Sequence, residues 1–249
     1  MIPITPLAKQ LIILNIIFYL GANFLAPHIS YDLFALHFPL NEKFEWWQLI
    51  THMFMHAQPP NIMHLVFNMF GIYMFGSSLE HIWGGKKFLI FYLLSGLGAA
   101  VLYMGINYYH FNQIYESLIN QGVSRESIQL FINGDTIEAK LSQSEINNFF
   151  SIYYGTAVGA SGALYGILAA FAFMFPNVEL MLMFLPIPIK AKYFVPFLVF
   201  MDLLAGLNGN SLFGVSTGIA HFAHFGGALT GFLLMLYFKK SQFEKKRWN

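Results

Sequence analysis

Gly159-Ala160-Ser161-Gly162 runs directly into the wholly apolar stretch Ala163–Phe175, and a second apolar stretch of the same chain carries Ala220-His221-Phe222-Ala223-His224-Phe225-Gly226-Gly227. Each stretch has the composition of a membrane helix, and each bears groups capable of proton chemistry. A serine opens the first, and histidines sit near the start of the second. Such a pair implies a nucleophile and a base working inside a bilayer.

Composition supports the membrane half of that reading. The 249 residues are 57% hydrophobic and 10% charged, with mean hydropathy +0.56, against about 25% charged in soluble domains. Twelve acidic and thirteen basic residues are too few and too clustered to cover a soluble core of this size. The chain therefore reads as an integral membrane protein whose solvent is the lipid bilayer. It has no cysteine, which excludes disulfides, thiolate metal sites and cysteine nucleophiles. A net charge of +1 argues for no nucleic-acid partner.

The fold class expected is an all-α polytopic membrane protein, a single domain over residues 1–249. Six helices are expected at about 11–26, 62–78, 87–108, 161–175, 193–207 and 218–238. The first follows Lys9; it resembles a signal peptide but lacks a small-x-small cleavage site, so it is read as a membrane helix. Residues 27–61 are mixed and aromatic, and Trp46 and Trp47 suit an interfacial loop. Residues 109–155 are the one polar insertion, extramembrane and without legible chemistry. The basic residues set the orientation. With both termini cytoplasmic, Lys9, Lys86, Lys87, Lys190, Lys192, Lys239, Lys240, Lys245, Lys246 and Arg247 lie inside and only Lys43, Arg125 and Lys140 outside. A cell (inner) membrane fits this asymmetry.

Depth then gathers the polar residues. Pro176 ends the fourth helix on the cytoplasmic side, and fifteen residues span only about 22 Å, so Ser161 lies roughly 8 Å below the outer edge of a ~30 Å core. The sixth helix enters from outside near Gly218, which puts His224 about 9 Å down. His64 and Asn68, spaced i, i+4 on the second helix, stack over the same level. Polar glue between helices explains any one of them; four at one depth indicate a hydrated pocket. Gly162 with Gly166, and Gly227 with Gly231, are small-xxx-small pairs that let two backbones approach closely. Gly159, with Gly155, lets the chain turn so that N–H groups at a helix start face an anion, and His64 and Asn68 could add donors for a tetrahedral oxygen.

In order along the chain, Trp47-Gln48 through Thr51-His52 to His56, His64 with Asn68, Gly159-Ala160-Ser161-Gly162 with Tyr165, and His224-x-x-Gly227-x-x-x-Gly231 resemble the rhomboid intramembrane serine proteases. The resemblance covers most of the chain. It implies a six-helix bundle with an interfacial first loop and a Ser/His pair without an aspartate. Ser161 would be nucleophile and His224 base, with His64, Asn68 and the Ser161 N–H as oxyanion hole and Tyr165 packed on the imidazole. It implies no cofactor, and single-pass transmembrane proteins as substrates, cut at small residues near helix-weakening ones. The family's Trp-Arg reads Trp47-Gln48 here, which puts salt-bridged anchoring of the first loop in question, and the 109–155 insertion is long.

Spacing to Gly227 and Gly231 favours His224 over His221 as base and leaves His221 facing water or the helix top. His52 and His56, at i, i+4, could share a helical face for a metal, but no acidic third ligand is near; a structural or water-holding role with Gln48 fits better. Asp202 on the fifth helix is far from these motifs in sequence and reads as bundle-facing and hydrogen-bonded or protonated rather than catalytic. The alternatives are a catalytically silent relative that binds membrane helices, against which the intact Gly-Ala-Ser-Gly and His224 argue, and a proton-coupled carrier, for which repeat symmetry is lacking. The sequence leaves the oligomeric state open.

Overall fold

A computed structural model describes residues 3–182, 185–207 and 220–243. The chain forms α1 (Pro6–Leu20), α2 (Pro27–Phe34), α3 (Gln48–Thr51), α4 (Ile62–Gly71), α5 (Ser77–Trp83), α6 (Gly85–Asn120), α7 (Arg125–Ile132), α8 (Gln143–Tyr154), α9 (Ser161–Met174), α10 (Ala191–Leu207) and α11 (Ala220–Phe243). Wider π turns at Gly21–Leu25 and Ile72–Gly76 extend α1 and join α4 to α5. Among the described residues four helices are long and apolar enough to cross a membrane: Pro6–Leu25, Ile62–Trp83, Gly85–Asn120 and His221–Phe238. The fold is an all-α polytopic membrane fold carrying one short antiparallel hairpin, β1 (Glu179–Leu182) with β2 (Leu185–Lys190), where Glu179 pairs with Lys190 and Leu180 with Ile189. Gly218, expected at the start of the last helix, and the C-terminal Lys245, Lys246 and Arg247 lie outside the described residues.

Three helices, α6, α9 and α11, form the centre, and small residues set their spacing. A Cβ added at Gly227 would stand 1.9 Å from the Gly162 carbonyl oxygen, and one at Gly231 would stand 2.4 Å from Gly166 Cα. The adjoining face of α11 also packs tightly on α6: a Cβ at Gly98 would fall 2.0 Å from Thr230 Oγ1, and one at Gly226 2.9 Å from the Gly98 carbonyl. Ala99 and Ser95 of α6 fill the remaining side, against Gly162 and Gly166. Without a hydrophobic driving force between helices in lipid, this contact area is what holds the trio together.

Buried Glu80 of α5 closes the start of α1. Its carboxylate accepts from the Leu7 N–H at 3.0 Å, the Ala8 N–H at 2.8 Å and the Thr5 hydroxyl. An acid at a helix N-terminus satisfies orphan donors and the helix dipole together.

Beyond Tyr108, α6 continues as far as Asn120, so the insertion begins as an unbroken helix. Phe111, Ile114 and Leu118 form its buried stripe and pack with Ile128, Phe131 and Ile132 of α7, Phe149, Ile152 and Tyr153 of α8, and Phe38 of the first loop. Ser124 caps α7, and Ser142 with Glu145 forms a capping box on α8.

Candidate active site

The site is assembled from the first loop upward. Gln48 is fully buried and holds three backbone groups: its amide nitrogen donates to the carbonyls of Asp32 at 3.1 Å and Lys43 at 2.8 Å, and its oxygen accepts from the His37 N–H at 3.2 Å. The loop is thus anchored by a neutral side chain. Met53 inserts so deeply that a Cβ at Gly96 of α6 would meet its sulfur at 2.4 Å. This carries His52 and His56 into the interior, where burial pushes their imidazoles down to about 4 and about 3 and keeps both neutral at pH 7. The two do not share a helical face, because the chain leaves its 3₁₀ turn (His52–Phe54) into extended conformation at Met55. His52 Nδ1–H donates to the Gln48 carbonyl at 2.7 Å, which gives it a structural place.

This loop in turn fixes the approach to the serine. Leu36 and Ala157 exchange backbone hydrogen bonds at 3.0 and 2.9 Å, and the Gly159 N–H donates to the His52 carbonyl at 2.9 Å. Gly159 has φ +125°, a conformation open to glycine. The space its missing Cβ leaves is shared: that atom would lie 2.9 Å from His64 Nε2 and 3.5 Å from Ser161 Oγ. The turn delivers Ser161 as the first residue of α9. The first helical bond there is made by the Leu164 N–H to Ala160, leaving the N–H groups of Ser161, Gly162 and Ala163 without intrahelical partners.

Ser161 Oγ lies 2.9 Å from His224 Nε2 on α11. The Tyr165 ring, one turn along α9, stacks on the imidazole with centroids 4.3 Å apart and planes 7° from parallel. His64 on α4 accepts from the Ala57 N–H at its Nδ1 (3.3 Å), so its proton sits on Nε2, the nitrogen beside Gly159. Asn68, also buried, donates an amide hydrogen to the His64 carbonyl at 2.7 Å. Ser161, His224, His64 and Tyr165 thus meet around one turn, with Gly159, Gly162, Gly227 and Gly231 giving the close approach, and Asn68 lies one helical turn beyond His64 on α4.

One residue stands elsewhere than the sequence indicates, and a second, Asp202, faces the bundle as expected but with partners the sequence does not show. His221 faces neither water nor the helix top: it is 3% exposed, covered by α10, and its Nδ1 hydrogen-bonds Asp202 Oδ1. Asp202, also 3% exposed, faces the bundle, and its Oδ2 lies 2.6 Å from His224 Nδ1. An acid therefore adjoins the serine–histidine pair, where the resemblance implies none. Asp202, His221 and His224 also form a group with ligand atoms within 4.8 Å of one another, the one cluster among the described residues able to hold a metal.

Ser161, His224, His64, Asn68, Tyr165, Asp202 and His221 all fall within residues 43–241, the span that matches the family model of the Rhomboid domain. The chain belongs to the rhomboid family. It is similar to Rhomboid protease AarA of Providencia stuartii, 27% identical over 246 residues that cover 92% of this chain and 71% of that protein. It is also similar to mitochondrial RHOMBOID-like protein 12 of Arabidopsis thaliana, 30% identical over 78% of this chain and 47% of the relative. Over a shorter stretch, 21% of the chain, it is 42% identical to Putative rhomboid protease YdcA of Bacillus subtilis. This rhomboid spans about half the length of the plant relatives it matches.

Proposed function

We propose that this rhomboid is an intramembrane serine endopeptidase that hydrolyses peptide bonds in or beside transmembrane segments. The observation that carries the reading is the 2.9 Å contact between Ser161 Oγ and His224 Nε2, with the imidazole held flat by Tyr165. His224 takes the serine proton as Ser161 Oγ attacks the scissile carbonyl; the imidazolium returns that proton to the departing amine, and water clears the acyl-enzyme by the same two steps reversed. In this reading the tetrahedral oxygen is received by the Ser161 N–H, His64 Nε2–H and the Asn68 amide, donors that act where charge develops.

Water supply follows from the first loop, whose buried polar residues His52 and His56 sit beside the serine turn. A regular transmembrane helix hides its carbonyls in internal hydrogen bonds, so the substrate has to unwind locally to be cut. Single-pass membrane proteins with small residues at the cleavage position are the substrate class this membership favours, met at the outer leaflet with both termini of the enzyme cytoplasmic.

The test is direct. Purified protein in liposomes is expected to be labelled by a fluorophosphonate at Ser161 and to cleave a quenched transmembrane reporter, with Ser161→Ala inert in both. Absence of labelling in the unmutated protein, or cleavage by Ser161→Ala, would overturn the assignment.

A further inference from the structure

The acid beside the imidazole has a defined origin in the fold. Ala191, Val195, Asp202 and Ala205 are the buried positions of α10, and their spacing puts all four on the helix face turned toward the bundle. Asp202 is consequently placed between two imidazoles of α11. Its two oxygens are divided between them: Oδ2 faces His224 Nδ1 at 2.6 Å, and Oδ1 faces His221 Nδ1. An ionised carboxylate only accepts hydrogen bonds, so each Nδ1 carries a proton. For His224 this decides the chemistry. With the proton on Nδ1, Nε2 presents its lone pair to Ser161 Oγ, the form a general base needs. A buried carboxylate left without partners would be costly, and the two N–H donors stabilise it.

We propose that Asp202 is a positioning residue of this rhomboid: it locks His224 as the Nδ1–H tautomer, aims Nε2 at Ser161, and stabilises the imidazolium formed when the serine proton arrives, while His221 pins the far carboxylate oxygen. The proposal rests on the serine–histidine assignment above. During acylation the proton passes from Ser161 Oγ to His224 Nε2 as the bond from Oγ to the acyl carbon forms; the same proton leaves with the amine when the C–N bond breaks. Asp202 stays ionised throughout and its bond to Nδ1 shortens the search for geometry at each turnover. The groups facing His224 are Ser161 and Tyr165 from α9, Asp202 from α10, His221 from its own helix and, within electrostatic reach, His64 from α4. Asp202 is the one anion in this set.

The discriminating variant is Asp202→Asn. A carboxamide of the same shape offers one acceptor and one donor, so it satisfies one Nδ1–H and forces the other imidazole into the opposite tautomer. Cleavage of the liposome reporter is expected to lose roughly 10²- to 10⁴-fold in kcat with KM changed less than about twofold, and Asp202→Glu is expected to regain part of the rate. A structural role alone would not move the second readout: proton NMR of histidine-labelled protein in micelles should show two far-downfield Nδ1–H resonances in the unmutated protein, with one of them lost in Asp202→Asn. Asp202→Asn within about threefold of the unmutated rate, or a loss confined to KM, would overturn the proposal, and with Ser161→Ala inert it would leave the serine–histidine pair standing. If Asp202→Asn does not fold, the resonances decide, and their absence from the unmutated protein overturns the proposal. Failure of fluorophosphonate labelling would instead remove the hydrolase reading on which it rests.

Discussion

Replacing Gly227 by alanine tests whether the site depends on the contact between α9 and α11. The added methyl would stand 1.9 Å from the Gly162 carbonyl oxygen and 2.7 Å from its carbon, both backbone atoms that no rotamer change can move. Restoring an ordinary contact of 3.4 Å separates the helices locally by about 1.5 Å if the shift is taken along the contact. Gly162 follows Ser161 directly, so the 2.9 Å link from Oγ to His224 Nε2 would open well beyond hydrogen-bond reach. A displacement of about 1 Å costs on the order of 10²-fold in rate, and overpacking costs roughly 1–3 kcal/mol in stability. The assay is the rate of fluorophosphonate inactivation in liposomes, which reports the serine–histidine contact without requiring a substrate helix to dock. Gly105→Ala on α6 is the control, because a Cβ there meets nothing within 4 Å. Inactivation of Gly227→Ala within about threefold of the unmutated rate, on protein shown to be folded, would refute the argument that this glycine sets the site geometry.

Asn68→Ala should lower kcat roughly 10²-fold with KM little changed; a pure rise in KM would make Asn68 a substrate contact. His224→Ala should fall to background cleavage, whereas His221→Ala, which frees only the outer oxygen of Asp202, should lose about tenfold; the reverse order would reassign the base. Activity should survive EDTA and phenanthroline, and loss restored by zinc would instead make Asp202, His221 and His224 a metal site. His52 and His56 are held neutral, with folded values near 4 and 3 against about 6.5 unfolded. Their contribution is therefore complete above pH 6.5 and declines as pH falls toward 4, by roughly 3 kcal/mol for the pair between pH 6.5 and 5. The melting temperature in detergent should drop over that interval, and a flat profile would contradict their burial as neutral rings.

The residues now found around Ser161 were readable because their signals are local: glycines at fixed spacing, an i, i+4 pair, and apolar runs whose ends fix a depth. The partnership of Asp202 with two histidines was not, since period places it on a buried face of its helix but says nothing of what that face meets. Glu80 is similar; its partners at the start of α1 lie more than seventy positions away. The continuation of α6 was hidden by its composition. His110, Asn112, Gln113 and Glu116 end the apolar run, yet no glycine or proline interrupts the helix until Gly122, and the stripe of Phe111, Ile114 and Leu118 carries it onward. The hairpin at 179–190 was masked by Pro186 and Pro188, which argue against a strand unless it lies at an edge, as each strand of a two-stranded ribbon does.

The thirty-six residues of α6 are about 54 Å long at 1.5 Å per residue, nearly twice the ~30 Å hydrocarbon thickness. An aromatic-cored knob is thereby mounted on a rigid shaft that also runs through the centre of the membrane bundle. For electron microscopy of a 28.4 kDa protein lost in its micelle, that shaft is a built-in fiducial. A nanobody raised against α7 and α8 would fix the orientation of every particle while touching neither the lipid-facing helices nor the serine turn.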